Sequence, residues 1–363
     1  MSGREHRHTH GSCPHCFIVP LKVLRTWAND TTVDKKVRGH LRDTLVETTR
    51  LRVIREAGRV ATLMHRGGIG SPDFELRPKL APQDLLFDCK NRSSLPGMAI
   101  PDPGVSNDPA ASTVFKTTGK VADFYETVFS RNSVDGDGMD LVSSVHYRQN
   151  FDNAFWNGQQ MVYGDGDGTV FIEFYNSPDV IGHELTHGVT QYESGLQYEG
   201  ESGALNESIS DVFGATFNQW LNQWPVSRAD GWLIGAGIMG PRAKQANKAC
   251  LRDMVDPKAS HCLSPQPDSY DHFDPTADVH DNSGIPNKAY ALFARSVGGN
   301  AWDSPIKVWY KACTDRRLHS NATFVDFAQL TIEAADSTGG ATLANKAHDA
   351  WDQVQLPLGA HVA

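Results

Sequence analysis

His183, Glu184 and His187 stand together in the run Val180-Ile181-Gly182-His183-Glu184-Leu185-Thr186-His187, and residues of these types at this spacing have a specific chemistry. On a helix, residues four apart share a face, so both imidazoles can reach one Zn2+ ion. Glu184, one residue round from the first imidazole, is then aimed at a water activated by that metal and can take its proton. A tetrahedral site needs a third protein donor and leaves its fourth position for water. Glu207, within Gly203-Ala204-Leu205-Asn206-Glu207-Ser208-Ile209-Ser210-Asp211, is the candidate. Leu205, Ile209 and Val212, with Phe213 beside them, have helical spacing and predict a second helix packed on the first. Asp211 follows Glu207 by four and shares its face, so it reads as the carboxylate that accepts a ligand imidazole N–H and fixes the tautomer. A solvated acidic helix face is the ordinary alternative for such a pair; the neighbouring His-Glu-x-x-His favours the ligand.

These two motifs together resemble the thermolysin family of zinc metallopeptidases, in which two His and a Glu hold the metal. The resemblance extends to Asn153-Ala154-Phe155-Trp156-Asn157-Gly158 and Met161-Val162-Tyr163-Gly164-Asp165-Gly166-Asp167-Gly168, similar to the family's substrate-binding edge strand and following loop. It also takes in Leu251-Arg252-Asp253-Met254 and Val279-His280-Asp281-Asn282-Ser283-Gly284, and runs nearly unbroken from about residue 85 to the C-terminus.

The resemblance implies roles for further residues. His280 and Tyr198 match donors that stabilise the oxyanion formed as the amide is attacked. Arg252 matches the guanidinium that holds a substrate carbonyl. Asn153 and Ala154 match the positions that bind peptide main chain as an added strand. Phe171, Phe174, Val180, Ile234, Ile238 and Leu251 match the pocket for the residue after the cut, and their apolar character implies Leu, Ile, Val or Phe there. One departure concerns His280: Pro275 occupies the place of an Asp that orients this ring in the family, leaving Asp278 or Asp274 to substitute, and Asp281 is an unusual neighbour. A second concerns calcium. Of the family's paired Ca2+ site only Asp179 and Asp230 remain, with Asn218, Leu233 and Ala236 where acids are expected, so the double site is expected to be lost. Gly164 to Gly168 mimics a calcium loop without its terminal Glu and reads as a turn.

The rest of the chain must position these groups. Val33, Val37, Leu41 and Leu45 recur every four residues and predict an amphipathic helix over roughly 32–62. Gly67-Gly68-Ile69-Gly70-Ser71-Pro72 breaks it, and the stretch to Pro82 reads as an exposed linker, where proteolysis concentrates. This layout, with Cys16-Phe17-Ile18-Val19-Pro20-Leu21, is similar to the short prosegment of protealysin-like members, although Leu21 stands where a second proline is usual. Residues 1–70 carry 13 Lys/Arg against 6 Asp/Glu in a chain of net charge −9. A basic head on an acidic body predicts intramolecular docking, and no nucleic-acid recognition motif accompanies it. Between Leu85 and Phe174 the signals are mixed, with Gly168 to Phe174 reading as a strand; Asp179 to about Glu193 is the motif helix, and helical patterns dominate after Glu201.

No run of 18 apolar residues predicts a membrane span. Met1 to Cys16 is polar and His-rich, without the apolar core of a secretory signal. The location expected is therefore a cytoplasmic precursor or exit by a nonclassical route. Six cysteines in 363 residues do not make a disulfide scaffold. Cys250 and Cys262 can pair across a loop or stay reduced. Cys13-Pro14-His15-Cys16 lacks the βαβ unit of a redox motif; a thiolate or His from this tract capping the zinc is the sharper reading, and a His/Cys-rich tail the plain one.

The expected fold is α+β and two-lobed: a β-rich N-terminal lobe, a central active-site helix and a helical C-terminal lobe, preceded by a small helical prosegment. The boundaries expected are 1–66 for the prosegment, 67–83 for a linker with the processing site, 84–195 for the N-terminal lobe and 196–363 for the C-terminal lobe. The expected function is a zinc endopeptidase, with one catalytic ion and Glu184 as general base, acting on peptide or protein substrates and made as a latent precursor inhibited by its own prosegment. The alternatives are an impaired relative that binds peptides or partners through the same cleft, and a redox or metal-storage protein built on the N-terminal tract.

Overall fold

In the computed structural model, residues 16–65 and 82–358 are described, and of 54–65 only the backbone. The linker expected at 67–83 lies outside these residues except for Pro82 and Gln83, as do Cys13 to His15.

The chain enters through a short strand, β1 (Cys16–Phe17), then two helices, α1 (Leu21–Asn29) and α2 (Lys35–His65). The single helix expected over 32–62 thus starts later, and a second one precedes it. Pro20 sets the extended backbone that opens α1, which buries Val23, Leu24, Trp27 and Ala28. Leu41 is buried on α2, with Val37 and Leu45 partly so.

The N-terminal lobe holds β2 (Asp84–Asp88), β3 (Met98–Ala99), α3 (Pro109–Phe129), β4 (Leu141–Val145), β5 (Ala154–Trp156) and β6 (Met161–Tyr163). Its six-stranded sheet has the order β1-β5-β6-β4-β2-β3, so β1 from the start of the described chain occupies one edge. β1 runs antiparallel to β5, with Cys16 opposite Trp156 and Phe17 opposite Phe155. Gly168 to Phe174 is not a strand. Asp167 Oδ1 accepts the N–H groups of Thr169 and Val170, which turns the chain, and the segment lies along residues 238–242 through an isolated bridge from Phe171 to Met239 and flanking backbone bonds, without forming a strand.

Two helices carry the motif residues: α4 (Pro178–Tyr192) and α5 (Gly200–Asn222). Their backbones approach closely because Gly182 faces Gly214. A Cβ on Gly214 would come within 2.5 Å of Asp179 O and 3.0 Å of His183 N, closer than real side chains pack. The C-terminal lobe adds β7 (Leu233–Ile234) paired with β8 (Arg252–Asp253), the short helices α6 (Pro241–Gln245) and α7 (Val279–Asn282), then α8 (Gly284–Val297), α9 (Ser304–Cys313) and α10 (Phe324–Gln353). α8, α9 and α10 pack around Trp309, which stacks on both Phe293 and Trp351. Gly339 and Gly340 leave helical geometry and kink α10. The result is a two-lobed α+β fold with α4 and α5 between sheet and helices. Among the described residues no helix is long and apolar enough to cross a membrane.

Candidate active site and metal centre

α4 presents His183 and His187 on one face, and α5 lays Glu207 against them. His183 Nε2 and His187 Nε2 lie 3.0 Å apart, and the Glu207 carboxylate is 3.5 Å from the first and 3.6 Å from the second. All three side chains are fully buried. The outer nitrogens are committed elsewhere: His183 Nδ1 donates to Asp211 Oδ1 at 2.8 Å and His187 Nδ1 to Asn206 Oδ1 at 2.8 Å. In these tautomers both Nε2 lone pairs point at one another beside a carboxylate, and Glu207 Oε2 has no hydrogen-bond partner among the described residues. Lone pairs so crowded repel unless a cation lies among them, so this donor set fits a divalent metal ion of the zinc type.

The electrostatics agree. Burial, reinforced by the neighbouring imidazole of His183, pushes His187 down to about 3, so it is a neutral ligand at any ordinary pH. Burial alone would raise Glu207, but His280, His187 and His183 outweigh it and hold the carboxyl below its usual range. Asp211 is likewise lowered against its burial, first by Arg252. It is a four-way junction, taking His183 Nδ1, Arg252 Nε and Nη2, and Asn287 Nδ2 at 2.7–2.8 Å.

Glu184 is fully buried beside the metal donors, and its Oε2 accepts the Trp156 N–H of β5 at 2.9 Å. Tyr198 donates its hydroxyl to Glu207 Oε1 and lies 3.3 Å from His280 Nε2. His280 Nδ1 is 2.5 Å from Asp278 Oδ1, which supplies the carboxylate missing at Pro275. Asp274, the other candidate, caps Thr276 instead. Burial works against protonated His280, but Glu207 and Asp278 raise its pKa overall.

Residues 17–19 lie beside these groups. Ile18 N–H donates to Ala154 O at 3.2 Å, while Asn153 accepts Val19 N–H at 3.0 Å and donates to Val19 O at 3.2 Å. Arg252 Nη1 donates to Ile18 O at 3.1 Å, and His280 Nε2 lies 2.7 Å from Phe17 O. Phe171, Phe174, Val180, Ile234, Ile238 and Leu251 are fully buried in the same apolar cluster as Ile18 and Val19. Two ion pairs join α1 and α2 to the segment carrying His280: Arg52 with Asp278 Oδ2 at 2.9 Å, and Lys22 with Asp281. Cys16 is fully buried at the head of β1; the metal donors that cluster here are His183, His187 and Glu207. Asp179 accepts from Ser177 and Gly235, and Asp230 pairs with Arg228.

Several functional neighbours escaped the sequence reading. Asn206 and Ser210 both face His187 Nδ1, and their spacing of four on α5, one step behind Glu207 and Asp211, was the available signal. Nothing in the local sequence marks Trp156 N–H or Asn287.

Comparison with known proteins gives a consistent picture. The thermolysin metallopeptidase catalytic domain matches residues 104–191 and its α-helical domain matches 194–356. The chain is 39% identical over 284 residues to an "Extracellular metalloprotease" of Pectobacterium carotovorum subsp. carotovorum, covering 75% of this chain and 81% of that protein. It is 40% identical over 273 residues to a "Thermolysin" of Alicyclobacillus acidocaldarius subsp. acidocaldarius, 71% of this chain but only 48% of that longer protein. Among solved structures, the precursor of protealysin, a metalloproteinase from Serratia proteamaculans, superposes with a TM-score of 0.80 at 34% identity, covering 93% of this chain and 99% of that one. The location expected from the sequence, a cytoplasmic precursor or a nonclassical exit, is corrected here. The Pectobacterium relative is named as extracellular, which points to secretion.

Proposed function

The chain belongs to the thermolysin family of metallopeptidases, protealysin-like in its short N-terminal segment, and we propose that it is a zinc neutral endopeptidase in its latent, secreted form. The observation that carries this reading is that Cys16 and Phe17 pair with β5 as an added strand and Ile18 and Val19 continue its main-chain bonds to Ala154, Asn153 and Arg252, as a substrate's main chain would.

His183, His187 and Glu207 would hold the ion, which when bound supplies Lewis acidity and a water of low pKa. Glu184, fixed by the Trp156 N–H, takes the proton from the attacking water and passes it to the leaving amine. His280 and Tyr198 donate to the oxygen on which negative charge develops. Two contacts support this assignment: His280 Nε2 already faces a carbonyl oxygen, that of Phe17, and Tyr198 stands 3.3 Å from that nitrogen. Arg252 holds a substrate carbonyl, as its bond to Ile18 O suggests, while Asp211 holds both Arg252 and His183. Asn153 and Ala154 bind the main chain. The apolar surroundings supplied by Phe171, Phe174, Val180, Ile234, Ile238 and Leu251 favour Leu, Ile, Val or Phe after the cut.

In this reading the prosegment inhibits by occupying the substrate strand, and a cut in 67–83 releases it. The cleft uses one catalytic zinc, and the paired calcium site is lost. Asp179 engaged by Ser177 and Gly235, and Asp230 by Arg228, support that loss.

Intact mass against time, for the full chain and its Glu184→Ala variant, tests the proposal. Wild type should lose a fragment ending between residues 66 and 83 and then cleave peptides, while Glu184→Ala stays whole. A wild type that binds peptides and never cuts them would instead make the protein a peptide-binding relative.

A further inference from the structure

A second group of metal-ligating side chains gathers where the chain on either side of Arg252 meets, at the base of its loop. Cys250, His261 and Cys262 each offer a donor atom, and these atoms all lie within 4.8 Å of one another. Both sulfurs are fully buried, while the imidazole is 40% exposed. The backbone enforces the meeting: Ala249 N–H donates to His261 O at 2.8 Å and Leu263 N–H to Cys250 O at 2.9 Å, which bridges Cys250 to Cys262.

We propose that Cys250, Cys262 and His261 form a second zinc site that pins the loop carrying Arg252. The sulfur spacing excludes a disulfide and leaves room for a shared ion. Cys250 Sγ and Cys262 Sγ are 3.7 Å apart. A disulfide needs about 2.0 Å, whereas two thiolates bound at about 2.3 Å on a tetrahedral zinc stand about 3.8 Å apart. The imidazole has the support that zinc-ligating histidines use, since His261 Nε2 meets Asp253 Oδ2 at 3.1 Å and leaves the other ring nitrogen for a metal. Asp253 is itself fixed, its Oδ1 accepting the N–H groups of Val255 and Asp256. Two thiolates and one imidazole suit a borderline-soft cation, and a water can fill the fourth position. Without a cation, the hydrogen bond that Cys250 donates to Cys262, with burial, keeps Cys250 a neutral thiol; zinc would deprotonate both sulfurs.

Position gives the site its consequence. Cys250 is two residues before Arg252 on one arm of the loop, and Cys262 is on the returning arm. An ion between them closes the loop at its base, next to the guanidinium that binds Asp211 and the strand in the cleft.

The test compares the tag-free full chain, purified under reductant, with its Cys250→Ser/Cys262→Ser variant. Both retain the same residues 1–16, so any ion bound there cancels in the difference. Wild type should hold one more zinc per chain than the variant. Its cobalt form should show a near-ultraviolet thiolate-to-cobalt absorption that the variant lacks or has at lower intensity. His261→Ala changes a partly exposed side chain and keeps the fold even if the double variant does not; it should weaken the additional ion by about tenfold or more. Equal zinc content with identical cobalt spectra overturns the proposal. So does a wild-type mass two hydrogens lighter without reductant, with Cys250 and Cys262 recovered as one disulfide-linked peptide pair and no zinc bound to the reduced pair.

Discussion

Asp278 Oδ1 lies 2.5 Å from His280 Nδ1, two residues along the same turn, and so takes over a task for which Pro275 has no carboxylate. Its side chain also caps α7 through the His280 N–H. In the activated enzyme Asp278→Asn should lower kcat by about tenfold or more while KM changes little, because the ring is misoriented but its donor remains. Removing an oxyanion donor outright typically costs about 10²–10³. Asp274→Asn should leave both constants near wild type. Steady-state kinetics on a short peptide decide the matter, and equal losses in the two variants would refute the assignment.

The other oxygen of Asp278 pairs with Arg52 of α2, and on the proposed reading this pair helps hold the latent form. Both side chains are partly exposed, so the pair should contribute on the order of 1 kcal/mol or less. Arg52→Ala should therefore shorten the half-time of precursor processing by a few-fold, not by orders of magnitude. Because salt screens such pairs, the difference between wild type and variant should shrink in 1 M salt. A processing rate indifferent to both the substitution and the salt would remove this pair from the latch.

Asp211 binds a ligand imidazole and the buried Arg252 at once. Asp211→Asn leaves the guanidinium buried without its counter-charge, which typically costs about 3–5 kcal/mol. It also weakens the acceptor that fixes His183, so zinc affinity should fall by about 10–100-fold. Chelator competition and thermal unfolding of the zinc-loaded protein measure the two effects. A lowered Tm with unchanged zinc affinity would confine Asp211 to a structural role.

The metal donors were legible because ligand spacing on a helix is a local property: His183 and His187 on one turn, Glu207 and Asp211 on another. His280, Tyr198 and Arg252 were legible only through family resemblance, since what gives each its place is a contact made across the fold. The carboxylate for His280 could not be chosen between Asp278 and Asp274 until the turn was seen, as both stand near in sequence. α3 was missed although Asp108 caps it and Pro109 opens it, because the reading of this region followed its strand-like pieces. Gly168 to Phe174 failed the opposite way. Its β-branched and aromatic residues suit a strand, but Asp167 gathers the local N–H groups, the backbone bridges to Met239, and Val170, Phe171 and Phe174 are buried in the core.

The approach of α4 to α5 depends on Gly182 and Gly214. A methyl group at 214 would stand 2.5 Å from Asp179 O, backbone that has no flexible end to move aside. Gly214→Ala should force the helices apart and so pull Glu207 from His183 and His187. Overpacking of this kind costs about 1–3 kcal/mol, and the loss should appear in zinc affinity as well as Tm. Gly168→Ala is the control for backbone strain alone, because that glycine has open space around it and a φ of +73°. It should lower Tm and leave zinc affinity unchanged.

His146 gives the stability of the protein a pH dependence separate from the metal site. Asp165 and Asp108 face its two ring nitrogens, and these hydrogen bonds and charges, Asp165 first, raise it to about 9 against the cost of burial. Its folded pKa is above the unfolded value of about 6.5, so the folded state binds the proton more tightly. The stabilisation is therefore complete below about pH 6.5, declines as pH rises towards 9, and is gone above it. Thermal unfolding of wild type and His146→Gln across pH 6 to 10 should show the gap in Tm narrowing over that window. The Gln side chain can still donate to one carboxylate, so the variant retains part of the contact while losing the titration. A gap that stays constant from pH 6 to 10 would mean that His146 is held as a neutral ring and that the two carboxylates are balanced some other way.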